Sequence, residues 1–130
     1  MTSEVELTKR HCEACSGDTP PLKAEEVFRL HEQVPKWDVT SGRKLVRRFE
    51  FKDFVEAVEF VNRVAGLAEQ EGHHPNITID YKRVTFTIWT HAIDDLSQSD
   101  FILAAKIDQL FGAGEGGPPG SDGSGADGIP

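Results

Sequence analysis

Two runs of alternating apolar and polar residues, Ile77-Thr78-Ile79-Asp80 and Val84-Thr85-Phe86-Thr87-Ile88, stand on either side of the short link Tyr81-Lys82-Arg83. A period of two marks half-buried strands, because successive side chains on a strand point to opposite faces. If the two strands pair antiparallel about that link, opposed residues have numbers summing to about 164 to 165. His73-His74-Pro75 precedes the first strand and Thr90-His91 follows the second. His74 and His91 meet that sum, so the hairpin carries both motifs to one end of the sheet. Three imidazoles gathered there can bind a metal or move protons near neutral pH.

Helical signals surround the hairpin. Asp53 stands as a cap, with Glu56 three residues on as in a capping box. Phe54, Val58, Val61, Ala65 and Ala68 recur at spacings of three and four and mark the expected buried face. Gly66 is a mild weak point in that helix, and Gly72 and Pro75 confine the turn after it. Upstream, Thr19-Pro20-Pro21 reads as a start for a helix from about Leu22 to Gln33, with Val27, Leu30 and Val34 as its stripe and Pro35 as its stop. Trp37-Asp38-Val39 and Lys44 to Phe51 read as strands about the turn residues Thr40-Ser41-Gly42. In the second of these, Arg47 shares a face with Leu45, Phe49 and Phe51, so the alternation is imperfect. After the hairpin, Ser97 caps a last helix with Asp100 at its third position. Phe101, Ala104, Ala105, Ile107 and Phe111 offer core contacts there, and Gly112 ends the helix.

The order α-β-β-α-β-β-α predicts an α+β fold, a four-stranded antiparallel sheet with helices packed on one face. The uncovered sheet face and the edges favour an oligomer, a homodimer or homotetramer. At 130 residues the chain is one domain with a single modest core. Residues 1–18 form a polar arm, 19–111 the domain, and 112–130 a tail rich in Gly, Pro, Ser and Asp. The tail is too poor in apolar residues to offset its ordering cost, so disorder is expected there.

Charge and hydropathy exclude some classes of function. A formal charge of -8 argues against direct nucleic-acid binding, which needs a basic face to displace counterions. Glu115, Asp122 and Asp127 place part of that charge in the tail. The basic stretch Lys44, Arg47 and Arg48 reads as a solvated strand face. No apolar run approaches the roughly 18 residues of a membrane span, and no signal peptide is evident. The expected setting is the cytoplasm, without a membrane partner.

His11-Cys12-Glu13-Ala14-Cys15 holds one Cys-x-x-Cys motif. A structural zinc site needs about four ligands, and this segment supplies at most three, so His31 or a partner chain would have to complete it. No thioredoxin-like context follows, which leaves two reduced thiols in the arm as the plain reading. At the other histidines a zinc ion is the rival to proton transfer. Adjacent His73 and His74 are awkward for one ion, and the helical His-Glu-x-x-His spacing is absent, so no metal is expected.

Glu69-Gln70-Glu71-Gly72-His73-His74-Pro75, then Tyr81 and Val84, then Thr90-His91, then Leu96-Ser97 and Asp100 together resemble the signature of the pterin-4a-carbinolamine dehydratases. The resemblance runs from about Trp37 to Leu110, with several separated motifs in order. It implies a pterin substrate, a 4a-hydroxytetrahydropterin dehydrated to the quinonoid dihydropterin in pterin recycling, with no cofactor. It implies three catalytic histidines: His73 and His91 contact the leaving 4a-hydroxyl as acid and base, and His74 positions the pterin and assists the proton transfer. Glu69 and Asp100, which match acidic positions of the pattern, Pro75 after the histidine pair, and Trp89 as an apolar wall are the expected substrate-binding residues. Asp100 also explains itself as a helix N-terminal carboxylate. Gly72 and Asp95 depart from residues common in relatives, without removing an acid or base.

Such chemistry suits imidazole. Loss of water from a carbinolamine needs a proton delivered to the departing hydroxyl and another taken from the neighbouring ring nitrogen, and imidazole does either near pH 7. Pro75 biases His74 to an extended backbone, which aims His73 and His74 in different directions. The resemblance also implies a second class of function. Dehydratase-like folds serve as RuBisCO assembly factors and transcriptional coactivators, so a protein partner is the alternative expectation.

Overall fold

The computed structural model describes residues 6–12 and 19–114. A 3-10 turn at Leu7–Lys9 is followed by α1 (Ala24–His31), β1 (Asp38–Thr40), β2 (Lys44–Glu50), α2 (Phe54–Glu71), β3 (Asn76–Asp80), β4 (Arg83–Ile88) and α3 (Gln98–Gly114). The four strands form one antiparallel sheet in the order β1-β2-β4-β3. This is the expected α+β order, with the helices over the face that carries Leu45, Phe49, Val84, Phe86 and Ile88.

The turns follow from local chemistry. Ser41 and Gly42 both have positive φ, 55° and 70°, and Arg43 N–H donates to the Thr40 carbonyl at 3.0 Å. Ser41 and Gly42 are the central residues of that turn in a three-residue loop, and positive φ at both suits the right-handed twist of the strands it joins. The β3–β4 link is one residue shorter than its sequence suggests. Asp80 opposes Arg83 and Ile77 opposes Phe86, so opposed numbers sum to 163 rather than 164 to 165. Tyr81, at φ 56°, and Lys82 make the whole turn, and Arg83 already belongs to β4. Both histidine motifs still flank the same end of the hairpin.

Helix bounds and caps differ from expectation at several places, and α1 ends at His31 rather than near Gln33. Thr19 does not start α1, because Leu22 N–H donates to the Leu96 carbonyl (3.1 Å) and the chain there is not helical. Lys23 is the cap residue, and its N–H is taken up by the Glu26 carboxylate at 3.0 Å. At α2, Asp53 caps the Glu56 N–H at 2.9 Å as its sequence predicts. The returning carboxylate of Glu56 instead accepts from Lys52 N–H, one residue early for a capping box. Gly112 does not end α3, which continues to Gly114.

The buried stripe of α2 is Ala57, Phe60, Val64 and Ala68. Of the expected set only Ala68 is fully buried; Phe54 is 51% exposed, Ala65 is exposed, and Val58 and Val61 are intermediate. Phe60 decides the rotation. It enters a cluster with Phe49 and Phe51 (ring centroids both 5.2 Å away), Phe111 (5.7 Å) and Phe86 (5.9 Å). Each such aromatic pair adds roughly 0.5–1.5 kcal/mol beyond its buried area.

The broken alternation in β2 also has a cause. Arg47 faces inward and its guanidinium meets Asp108 of α3 at 2.6 Å, while Trp37 Nε1–H donates to the same oxygen at 2.8 Å. Burial pushes the Asp108 carboxyl above its ordinary range, against the opposing pull of Trp37 and Arg47. Arg47 also lies over the Phe49 ring at 4.1 Å, so its stem and fork pack as well as pair. Central α3 buries Phe101, Ile102, Leu103, Ala104, Ala105 and Ile107, and Leu7 of the N-terminal segment joins the same core. The arm is therefore less polar in its packing than in its composition. Of the expected arm, residues 1–5 and 13–18, Cys15 among them, lie outside the described residues, as does the expected tail from residue 115 onward.

Candidate active site

Helix α2 stops at Glu71 because Gly72 takes the left-handed conformation at φ 67°. The N–H groups of Gly72 and His73 both return to the Ala68 carbonyl. His73 therefore hangs directly from the end of α2. Its Nε2 lies 2.6 Å from Oδ1 of Asp100, near the start of α3. The His73 side chain is 12% exposed and that of Asp100 fully buried.

Asp100 is the junction of the site. Its Oδ2 accepts from the Thr90 hydroxyl and from the Ser97 N–H, both at 2.8 Å. The Thr90 and Ser97 hydroxyls are 2.7 Å apart. A buried carboxylate with this many donors is held in one orientation, which fixes what approaches its other oxygen. One side chain thus caps α3, ties down Thr90 next to His91, and orients His73. In the tautomer that gives Nε2–H to Asp100, Nδ1 of His73 is the ring nitrogen chemically able to exchange a proton.

The other expected residues fall into two further pairs. His74 Nε2 lies 2.6 Å from Oε2 of Glu69, one turn back on α2, and both side chains are well exposed. Such a pair is worth little to stability, about 0–1 kcal/mol, but it orients the ring. His91 is exposed and stacks on Trp89, with ring centroids 4.2 Å apart and planes inclined by 15°. Lys44 Nζ lies 4.3 Å from the centroid of the same indole. Trp89 is thus engaged by Lys44 and His91. A tight loop sets His91 in place: Thr90 N–H donates to the Asp95 carbonyl at 2.9 Å, and Asp94, at φ 50°, donates to the His91 carbonyl at 3.2 Å. Pro75, just after the pair, is half-buried.

Sequence reasoning left out the Thr90 and Ser97 hydroxyls and Lys44. Ser97 carried a signal only as a cap, Thr90 only as the neighbour of His91, and Lys44 only as part of a solvated face. Among the described residues, no group of three or more His, Cys, Asp or Glu side chains is gathered as a metal would require. No helix among them is long and apolar enough to cross a membrane.

Residues 20–110 match the family model described as pterin 4 alpha carbinolamine dehydratase. A protein of Rubrobacter xylanophilus provisionally named pterin-4-alpha-carbinolamine dehydratase is 49% identical over 105 residues, 81% of this chain and 98% of that one. One of the same provisional name from Rickettsia bellii is 44% identical over 111 residues, 85% of this chain and 98% of that one. Among solved structures, the transcriptional coactivator/pterin dehydratase from Brucella melitensis matches with a TM-score of 0.66 at 30% identity, over 70% of this chain and 98% of that one.

Proposed function

The chain belongs to the pterin-4a-carbinolamine dehydratase family, and on that premise we propose that it dehydrates a 4a-hydroxytetrahydropterin to the quinonoid dihydropterin in pterin recycling. The bond from the 4a-carbon to its hydroxyl oxygen breaks, and the neighbouring ring nitrogen supplies the electron pair of a new carbon–nitrogen double bond. A proton joins the departing hydroxyl to form water, and the proton of that nitrogen passes to a base. Atoms and charge balance with imidazoles alone.

The observation that carries this reading is the His73–Asp100 pair. A buried, fully engaged carboxylate orients the imidazole and favours a proton on Nε2, as suits a group that gives and takes protons. In this proposal His73 and His91 are the acid and base, and His74, steadied by Glu69, positions the pterin. Pro75 fixes the direction of the pair. Trp89 acts chiefly through His91, which stacks on it. We place the protein in the cytoplasm as a homodimer or homotetramer. The exposed Phe54 and Val55 on α2 and Ile79 on the edge strand β3 are among the exposed apolar side chains that support association.

The test is stopped-flow absorbance of carbinolamine dehydration by the wild type beside His73→Ala and His91→Ala. Acceleration lost by at least about 100-fold in either variant is expected, equivalent to about 2.7 kcal/mol of transition-state stabilisation. A folded wild type that gives no acceleration would turn the reading to a binding protein, and a pull-down for protein partners would follow.

A further inference from the structure

Two residues before His73, at the last position of α2, the Glu71 side chain is only 3% exposed. Its Oε2 meets the Lys106 ammonium of α3 at 2.6 Å, with Nδ1 of the exposed His11 at 3.5 Å. Its Oε1 accepts the Cys12 backbone N–H at 2.9 Å. The Cys12 thiol in turn donates to the Ser99 carbonyl at 3.4 Å. Ser99 immediately precedes Asp100. The segment 6–12, anchored by the buried Leu7, therefore ties the last turn of α2 to the first turn of α3. Those are the two turns that present His73 and Asp100 to each other.

Burial works to raise the Glu71 pKa. The hydrogen bond from Lys106, the Cys12 N–H, and the charges of Lys106 and His11 outweigh it, and the carboxyl sits below its ordinary value. Burial, reinforced by the Glu71 charge, pushes the Cys12 thiol up to about 12, so it stands as a neutral donor. A buried carboxylate–ammonium pair resists displacement, because parting it strands a charge in the interior. Asp100 and Lys106 from α3, Glu71 from α2, and His11 and Cys12 from the N-terminal segment are the titratable groups in these contacts.

We propose that Glu71 is a positioning residue for His73, and that residues 6–12 are a strap completing its seat through the Cys12 N–H. His73 is hung from the same helix end that Glu71 pins, through the Ala68 carbonyl. Loosening the pin lets Nε2 drift from Asp100, and displacements on the order of 1 Å cost up to about 100-fold in rate. The proposal rests on the dehydratase reading for its kinetic arm and on geometry alone for its spectroscopic arm.

The test uses the full chain as wild type, as Glu71→Gln, and as Glu71→Gln with Lys106→Met. The double variant strands no buried charge and so guards against simple unfolding. Dehydration is followed by stopped flow, and the His73 and His74 rings are titrated by proton–carbon NMR. In both variants kcat is expected to fall about 10-fold or more with KM within about threefold. The His73 titration is expected to move while that of His74 stays. A folded double variant with the wild-type kcat, or with an unmoved His73 titration, overturns the proposal. If the wild type shows no dehydratase activity, the proposed function fails on its own and the NMR arm decides: a shifted His73 beside a fixed His74 supports the strap, and an unshifted His73 overturns it.

Discussion

Nε2 of His73 and Oδ1 of Asp100 stand 2.6 Å apart although 27 positions separate them in the chain. The two ends of α2 and α3 meet there, and the second oxygen of Asp100 reaches the Thr90 hydroxyl beside His91. Two motifs that look independent along the sequence share one carboxylate.

Replacing Asp100 by Asn should test that sharing. The amide keeps the shape but brings an N–H2 group against donors already aimed at it, from Thr90, Ser97 or His73. We expect dehydration to slow by about 100-fold or more, as when the carboxylate behind a catalytic imidazole is neutralised. Urea unfolding should show a loss of about 1–3 kcal/mol from the mismatched buried donors. A variant with wild-type rate would remove Asp100 from the proposed mechanism.

Trp89→Leu removes the stack under His91 while keeping an apolar strand residue. A ring pair is worth about 0.5–1.5 kcal/mol, so a kcat lower by about two- to tenfold is expected, with little change in unfolding midpoint. Equal rates for the two proteins would show that His91 needs no such support.

The ion pair at Glu71 carries a pH signature. Its folded pKa is below the ordinary value of 4.5. The stability it contributes is therefore present above that pH and is lost as pH falls through the lower, folded value. The difference in unfolding free energy between the wild type and Glu71→Gln should be full at neutral pH and shrink on acidification below about 4.5. A difference that widens on acidification would mean that the carboxyl is not held ionised by Lys106.

Core and surface phenylalanines of α2 should part clearly. Phe60→Ala is expected to cost about 3–5 kcal/mol in urea unfolding, because its ring is wholly buried among four others. Phe54→Ala, half exposed, should cost under about 1 kcal/mol at protein concentrations low enough to suppress association. Similar losses at both positions would contradict the observed rotation of the helix.

The same helix shows what the sequence could and could not convey. Its existence, its Asp53 cap and its Gly72 stop are local signals and are legible. Its rotation is not, because apolar side chains lie on two of its sides: Phe54, Val58 and Ala65 compete with Ala57, Phe60 and Val64. Only the aromatic cluster from β2, β4 and α3 settles the choice. The hairpin was legible for the same local reason, whereas its register moved because Arg83 joined the strand instead of the turn. His73, His74 and His91 were legible by type and spacing. The contact of His73 with Asp100 and that of Glu71 with Lys106 were not, since each depends on how α2 meets α3 and no periodicity encodes that distance.

Asp100 answers to two demands at once, with one oxygen on the helix start and the other on an imidazole. A population of sequences selected only to fold would keep this aspartate, since losing it removes the acceptor of the Ser97 N–H at the start of α3 and of the buried Thr90 hydroxyl. Selection for turnover would add nothing visible at that position. Within such a population, drift toward inactivity would appear first at His73, so an aspartate surviving opposite a replaced histidine would be the mark of a scaffold that has outlived its chemistry.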